Sequence, residues 1–150
     1  MPIEPHVQIE FTIDAVDVPS ASKLPSIACG GECIFVGRTR PETHTSHGEL
    51  IALQYECYED MARTELQLIA HEAIAVYSVQ CVRITHSVGK VSTHQASVVI
   101  AVGGEHRADA FDACRFLIDN LKTRVPIWKQ EQWETEMTWV EGETMEQSSS

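Results

Sequence analysis

Positive charge is scarce in this sequence. Eleven lysines and arginines stand against 22 aspartates and glutamates, a formal charge of −11 over 150 residues. An evenly spread surface of that sign repels nucleic acid and anionic lipid, so neither is expected as a partner unless the bases are concentrated locally. No apolar stretch approaches the roughly 20 residues of a membrane span. The opening MPIEPHVQIEF lacks the basic start and apolar run of a secretory signal. The five cysteines are an odd number, and no two are spaced as CxxC. That pattern argues against a disulfide framework and fits free thiols in a reducing cytoplasm. Internal repeats are also missing.

What remains is the balance of one soluble globular domain. Apolar residues make up 43% and charged residues 22%, and 150 residues are enough to bury a core. ECIFVG (32–37) reads as a buried strand, and LIALQYE (50–56) as a half-buried one with Ile51, Leu53 and Tyr55 on one face. Between them GRTRPETHTSHG (37–48), rich in turn formers, predicts a long mobile loop. A helix is predicted over 59–77. Glu59 and Asp60 suit the positive end of its dipole, and Ala62, Leu66, Ile69, Ala73 and Val76 form one stripe. QCVRITH (80–86) predicts a strand with Val82, Ile84 and His86 on one face. ASVVIAV (96–102) predicts a strand covered on both sides and broken by Gly103-Gly104. A second helix starts near Arg107, buries Ala110, Cys114, Leu117, Ile118, Leu121 and Val125, and stops before Pro126. MTWVE (137–141) predicts a last edge strand, and the acidic, polar tail 143–150 predicts disorder. The order β-β-α-β-β-α-β makes residues 1–142 an α+β domain with a mixed or antiparallel sheet.

The little positive charge there is gathers late in the chain. Arg107, Arg115, Lys122, Arg124 and Lys129 put five of the eleven bases within 23 residues. At about 100° per residue, Lys122 lies about 80° from the centre of the second helix's apolar stripe, taken at Cys114. There its stem can be buried and its amine held in place. The competing reading is a solvated lysine that merely complements the dipole of the last helical turn. Lys129 follows Pro126-Ile127-Trp128, a stiff apolar segment that fixes where its amine points. Two fixed ammonium groups near each other depress one another's pKa. A lysine so depressed can serve as nucleophile or proton acceptor near neutral pH.

GGEHRADAF (103–111) is a glycine turn opening onto a helix, with His106 and Arg107 at its start. Free backbone N–H groups, the dipole and Arg107 together suit a phosphate, against the plainer reading of a surface His-Arg pair. Cys29, Cys33, His44 and His47 give C-x3-C-x10-H-x2-H, a loose likeness to a zinc finger. Both later spacings are short and the apolar stretch 34–36 interrupts the set, so no metal site is expected. HEAIA (71–75) lacks the second histidine of a metalloprotease helix, and Cys57, Cys81 and Cys114 read as small buried residues.

Five segments, in order, carry a likeness to a known family: FVGRTR (35–40), LQYECYEDMA (53–62), RITHSVGKV (83–91), EHRADAFDACRFLIDNLKTRVPIWKQE (105–131) and TWVEG (138–142). The chain resembles the large, catalytic subunit of molybdopterin synthase over about residues 30–142, and the run from His106 to Lys129 is the most specific part. The resemblance implies an α/β hammerhead fold with an additional antiparallel β-subdomain. It implies a homodimer within a heterotetramer, with a small ubiquitin-like sulfur-carrier subunit bound at each end. The implied reaction moves sulfur from the carrier's C-terminal thiocarboxylate to cyclic pyranopterin monophosphate, two sulfurs forming the dithiolene of molybdopterin, with no cofactor. By position, Lys122 and Lys129 match the two pocket lysines, Arg40 the arginine after the first strand, and His106 with Arg107 the phosphate-side pair. On that footing Arg40, His106 and Arg107 hold the phosphate, while the lysines steer the thiocarboxylate and stabilise developing oxyanions.

Two departures stand out. Ser87 occupies the place after His86 where relatives carry arginine, and no lysine or arginine follows Lys129. The alternative is a non-catalytic relative that keeps the carrier-docking surface as an interaction module. Retention of both lysines, Arg40 and His106-Arg107 speaks against it, because docking alone does not need them.

Overall fold

A computed structural model describes residues 5–25, 29–135 and, as backbone, 137–139. The first half runs β1 (His6–Thr12), α1 (Val18–Ala21), β2 (Gly31–Arg38), β3 (Thr43–His44), β4 (Gly48–Cys57) and α2 (Glu59–Tyr77). The second half runs β5 (Val79–Ser87), β6 (Lys90–Ser92), β7 (Ala96–Gly104), α3 (Arg107–Arg124), β8 (Ile127–Trp133) and β9 (Met137–Trp139).

The strands form two sheets in a mixed α/β architecture. In the first, the order is β1-β5-β7-β2, with β1 parallel to β5 and the other neighbours antiparallel. The second is antiparallel, in the order β3-β4-β8-β9, and β6 also pairs with β4. Helix α2 packs on β5 and β1, α3 packs on β2 and β7, and the two helices pack on each other. Short α1 covers the opposite face at β7 and β5. Between these layers β7 is buried along its whole length, as its unbroken apolar run requires. The main core joins Leu66 and Ile69 of α2, Leu117 and Leu121 of α3, and Ile84 and Ile100 of the first sheet to Leu53 and Tyr55 of the second. Among the described residues no helix is long and apolar enough to cross a membrane.

Helix α2 fills the span that its periodicity predicts. Val76 is 67% exposed, however, because the last turn packs instead through Ile74 and Tyr77, the latter against Phe116. Gly103 and Gly104 continue β7 rather than break it: they pair with Glu32 and Gly31, and a backbone ladder needs no side chain. Residues 37–48 are not one loop. Strand β2 runs on to Arg38, buried Thr39 exchanges backbone hydrogen bonds with Gln95 and His94, and β3 folds back on β4. Ile51 points outward while Leu50, Ala52, Leu53 and Tyr55 are buried. A bulge between Leu50 and Ala52 shifts the register against β8 and breaks the alternation. Strands β1 and β8 lie outside the predicted elements. Of the predicted edge strand, 137–139 form β9; residues 140–141 and the tail 143–150 lie outside the described residues.

Candidate active site

Lys129 is the unusual residue of this fold. Val125 leaves the helical region at the end of α3, with Pro126 following, and the chain turns directly into β8. There Lys129 stands opposite Tyr55 of β4, and paired residues share a face of the sheet, so both point to the interior. Lys129 is 2% exposed. Burial first, and Lys122 second, push its ammonium down to about 8, while Glu131 and Glu42 act in the other direction. The sequence therefore brings two lysines together by ending a helix at one and burying the next on a strand.

Lys122, half-buried in the last turn of α3, lines a small pocket with Phe35, Tyr55, His86 and Ser97. The Tyr55 hydroxyl is hydrogen-bonded with Ser97, and burial pushes it up to about 12, so it stays neutral. The His86 ring meets Tyr55 edge-on, with centroids 5.1 Å apart. Its Nδ1 lies 2.7 Å from the Ser87 carbonyl oxygen, which fixes the proton on Nδ1. Nε2 is buried and, among the described residues, makes no hydrogen bond. Burial, and to a lesser degree Lys129, push His86 down to about 4 against the opposing pull of the Ser87 carbonyl. It is therefore a neutral acceptor beside two cations. His86 and Tyr55 were legible only as inward strand positions; nothing in their spacing marks them as neighbours of the lysines. Ser87 is buried, and its Oγ accepts from the Gly89 N–H at 3.1 Å.

The Nη2 of Arg40 lies 3.7 Å from Glu42 Oε1, and Glu42 is one of the charges that act on the Lys129 ammonium. The Arg40 side chain is 65% exposed. His106 and Arg107 do not join this cluster. His106 caps α3 and Arg107 begins it, both exposed, at the end opposite Lys122. Fifteen residues at about 1.5 Å each put about 22 Å between Arg107 and Lys122 along the helix axis. The four residues of the zinc-finger-like spacing divide as well. His44 and His47 stack on each other, 4.1 Å between centroids, near Trp133 of the second sheet, whereas Cys29 and Cys33 lie against the first sheet.

Lys122 thus shares a small, partly closed pocket with a neutral imidazole and a neutral phenol, and buried Lys129 acts on both His86 and the neighbourhood of Lys122, an arrangement suited to anionic groups and developing negative charge. The MoaE protein family matches residues 10–124. The chain belongs to this family. The human molybdopterin synthase catalytic subunit is 37% identical over 132 residues, covering 87% of this chain and 69% of the human protein. Molybdopterin synthase from Staphylococcus aureus, solved by X-ray crystallography, matches with a TM-score of 0.79 at 29% identity, over 89% of this chain and 96% of that one. A Helicobacter pylori chain, solved in a protein–protein complex of subunits 1 and 2 of molybdopterin-converting factor, shares the fold. Its TM-score is 0.73 at 21% identity, over 91% of this chain and 92% of that one. The chain spans 58% of the length of the rice relatives that it matches. Its MoaE family is therefore that of molybdopterin synthase catalytic subunits, and the fold is the one its solved members share.

Proposed function

We propose that this chain is the sulfur-transferring catalytic subunit of a molybdopterin synthase. The observation that carries the reading is Lys129, buried on a strand beside a second lysine. A buried ammonium next to another cation costs folding free energy, and an apolar side chain of similar length would fill the same space. Such a residue is explained by an anion that it must meet.

In this reading a small ubiquitin-like sulfur-carrier subunit brings its C-terminal thiocarboxylate to Lys122 and Lys129. The sulfur anion adds to cyclic pyranopterin monophosphate. Water then cleaves the acyl–sulfur bond, the carrier leaves as a carboxylate, and the sulfur stays on the substrate. A second round completes the dithiolene. The lysines stabilise the oxyanions of addition and hydrolysis, and neutral His86 and Tyr55 form the floor against which the ammonium groups are held. Arg40, His106 and Arg107 are assigned to the substrate phosphate. Because α3 separates Arg107 from Lys122, one protomer cannot offer both to one small substrate. A homodimer within a heterotetramer, in which a second copy turns the start of its α3 toward this pocket, meets that requirement.

Finer assignments follow from the same reading. The helix-covered sheet with its appended antiparallel sheet supports an α/β hammerhead fold with an added β-subdomain, built as one domain over 1–142. Five free thiols support a cytoplasmic location. The interaction-module alternative rests on Ser87 and on the acidic tail, and the buried hydrogen bond that Ser87 accepts from the Gly89 N–H gives that residue a structural role instead. The deciding experiment mixes the chain with a thiocarboxylated carrier and cyclic pyranopterin monophosphate. Dithiolene product is expected; carrier binding without product would favour the interaction module.

A further inference from the structure

None of the five cysteines takes part in the chemistry above, yet the first sheet sorts four of them into two pairs. Cys33 of β2 stands opposite Val102 of β7, and Cys81 of β5 stands opposite Gly103. Adjacent positions on a strand face opposite ways, so Cys33 and Cys81 lie on opposite faces of the sheet. On the helix-covered face Cys33 hydrogen-bonds with Cys114 of α3. On the other face Cys81 hydrogen-bonds with Cys29. The four thiols therefore cannot converge on one metal ion.

Gly103 creates the room for the second pair. A Cβ at Gly103 would stand 2.9 Å from the Cys29 Sγ, so the missing side chain is the space in which this thiol lies over β7 beside Cys81. Cys29 is half-exposed on an irregular segment, and its Sγ also donates to the Gln80 Oε1 at 3.3 Å. Cys81 is fully buried. Burial, then neighbouring Cys29, push the Cys81 thiol up to about 12, which leaves it protonated and inert toward oxidants on its own. One thiol is thus reachable, and its partner is held in wait.

We propose that Cys29 and Cys81 form a reversible disulfide, made by hydroperoxides, that repositions the segment behind the His106–Arg107 turn. The Cys29 thiolate attacks one peroxide oxygen, the O–O bond breaks, and an alcohol leaves as Cys29 becomes a sulfenic acid. The Cys81 sulfur then attacks the Cys29 sulfur and gives up its proton, and the departing hydroxide leaves as water. Two thiols lose two electrons and two protons in all, and the peroxide is reduced to alcohol and water. A thiol reductant reverses the change.

Closure would be felt at the start of α3. The Gly30 N–H donates to the Gly104 carbonyl at 2.9 Å, and a Cβ on Gly30 would collide with the Glu105 carbonyl oxygen. A Cβ on Gly31 would stand 3.2 Å from the Arg107 Cα. Residues 29–31 are therefore the back wall of the turn that carries His106 and Arg107. Shortening a thiol–thiol hydrogen bond to a covalent S–S distance of about 2 Å draws that wall toward β5. The other pair sits under α3 between two regular elements of the main core, where the same shortening would have to move a strand or a helix. Only Cys29–Cys81 is expected to close.

This inference stands apart from sulfur transfer, and its test needs no substrate. The reduced full-length chain is treated with tert-butyl hydroperoxide, digested without reductant and mapped by mass spectrometry. A loss of two hydrogen masses per chain is expected, in one peptide joining Cys29 to Cys81, reversed by dithiothreitol. Amide exchange should change at residues 104–108. Cys29→Ser should abolish the cross-link, and Gly103→Ala, which fills the space of the thiol, should slow it severalfold. Accumulation of a Cys29 sulfenic or sulfinic acid that never cross-links would overturn the proposal, as would a Cys33–Cys114 bond that forms first.

Discussion

Lys129 and His86 are two buried bases whose titrations pull stability in different pH ranges. The Lys129 ammonium falls from 10.5 to about 8 on folding. Below about pH 8 both states hold the proton and the cost of burying it is fully present; between 8 and 10.5 only the unfolded chain holds it, so stability rises with pH. That difference corresponds to on the order of 3 kcal/mol. Lys129→Met should therefore stabilise the protein by about 1–3 kcal/mol at neutral pH and flatten its alkaline gain. Denaturant unfolding at pH 7 and pH 10 checks this, and a less stable variant would make Lys129 a structural residue. His86 falls from 6.5 to about 4. As pH drops through that window the unfolded chain takes a proton that the folded one refuses, so stability is lost on the order of 3 kcal/mol. Urea unfolding from pH 7 to pH 4 should show a shallower acid slope in His86→Phe than in wild type, whatever the absolute stability of the variant. An unchanged slope would place the acid loss elsewhere.

At the scale of elements, the sequence was most readable where one period ran unopposed. The α2 stripe gave its span, and Pro126 with the basic last turn gave the end of α3. Strand β8 was hidden for an instructive reason. Its inward positions are Ile127, Lys129, Glu131 and Trp133, so the alternation is real but two of its members are charged. Lys129, the lysine proposed for the site, erases with Glu131 the apolar pattern that would announce the strand. Strand β1 was missed because it is an edge strand whose single parallel partner, β5, lies more than sixty residues away in the chain and leaves no hairpin signal. Helix α2 also ends without a glycine. Ser78 takes the left-handed conformation there, at φ 56°, which costs any residue with a Cβ. Ser78→Gly should raise stability by about 0.5–1 kcal/mol, read as a higher midpoint in thermal or urea unfolding. A loss instead would mean that the serine side chain, not the backbone angle, decides the cap.

Over the whole molecule, the acidic chain carries Lys122 and the His106–Arg107 pair, both proposed for the site, at opposite ends of α3. The helix predicted from near Arg107 to Val125 already contained this separation, and α3 runs unbroken between the two residues. The consequence is testable by mixing. Lys122→Ala and Arg107→Ala are each expected to be nearly inactive, but random pairing of their protomers rebuilds an intact pocket in about one site in four. Activity should recover toward a quarter of wild type after subunit exchange. No recovery would mean that His106 and Arg107 serve some other surface.

The central claim, that the lysine pair performs sulfur transfer, is tested most directly by a single-turnover measurement. A preformed complex of this chain with thiocarboxylated carrier is mixed with cyclic pyranopterin monophosphate, and dithiolene formation is followed for wild type and Lys122→Ala, with carrier affinity and circular dichroism recorded for both. The expected result is a folded Lys122→Ala variant that binds the carrier as wild type does and forms little or no product. A folded variant that turns over at the wild-type rate would contradict the assignment.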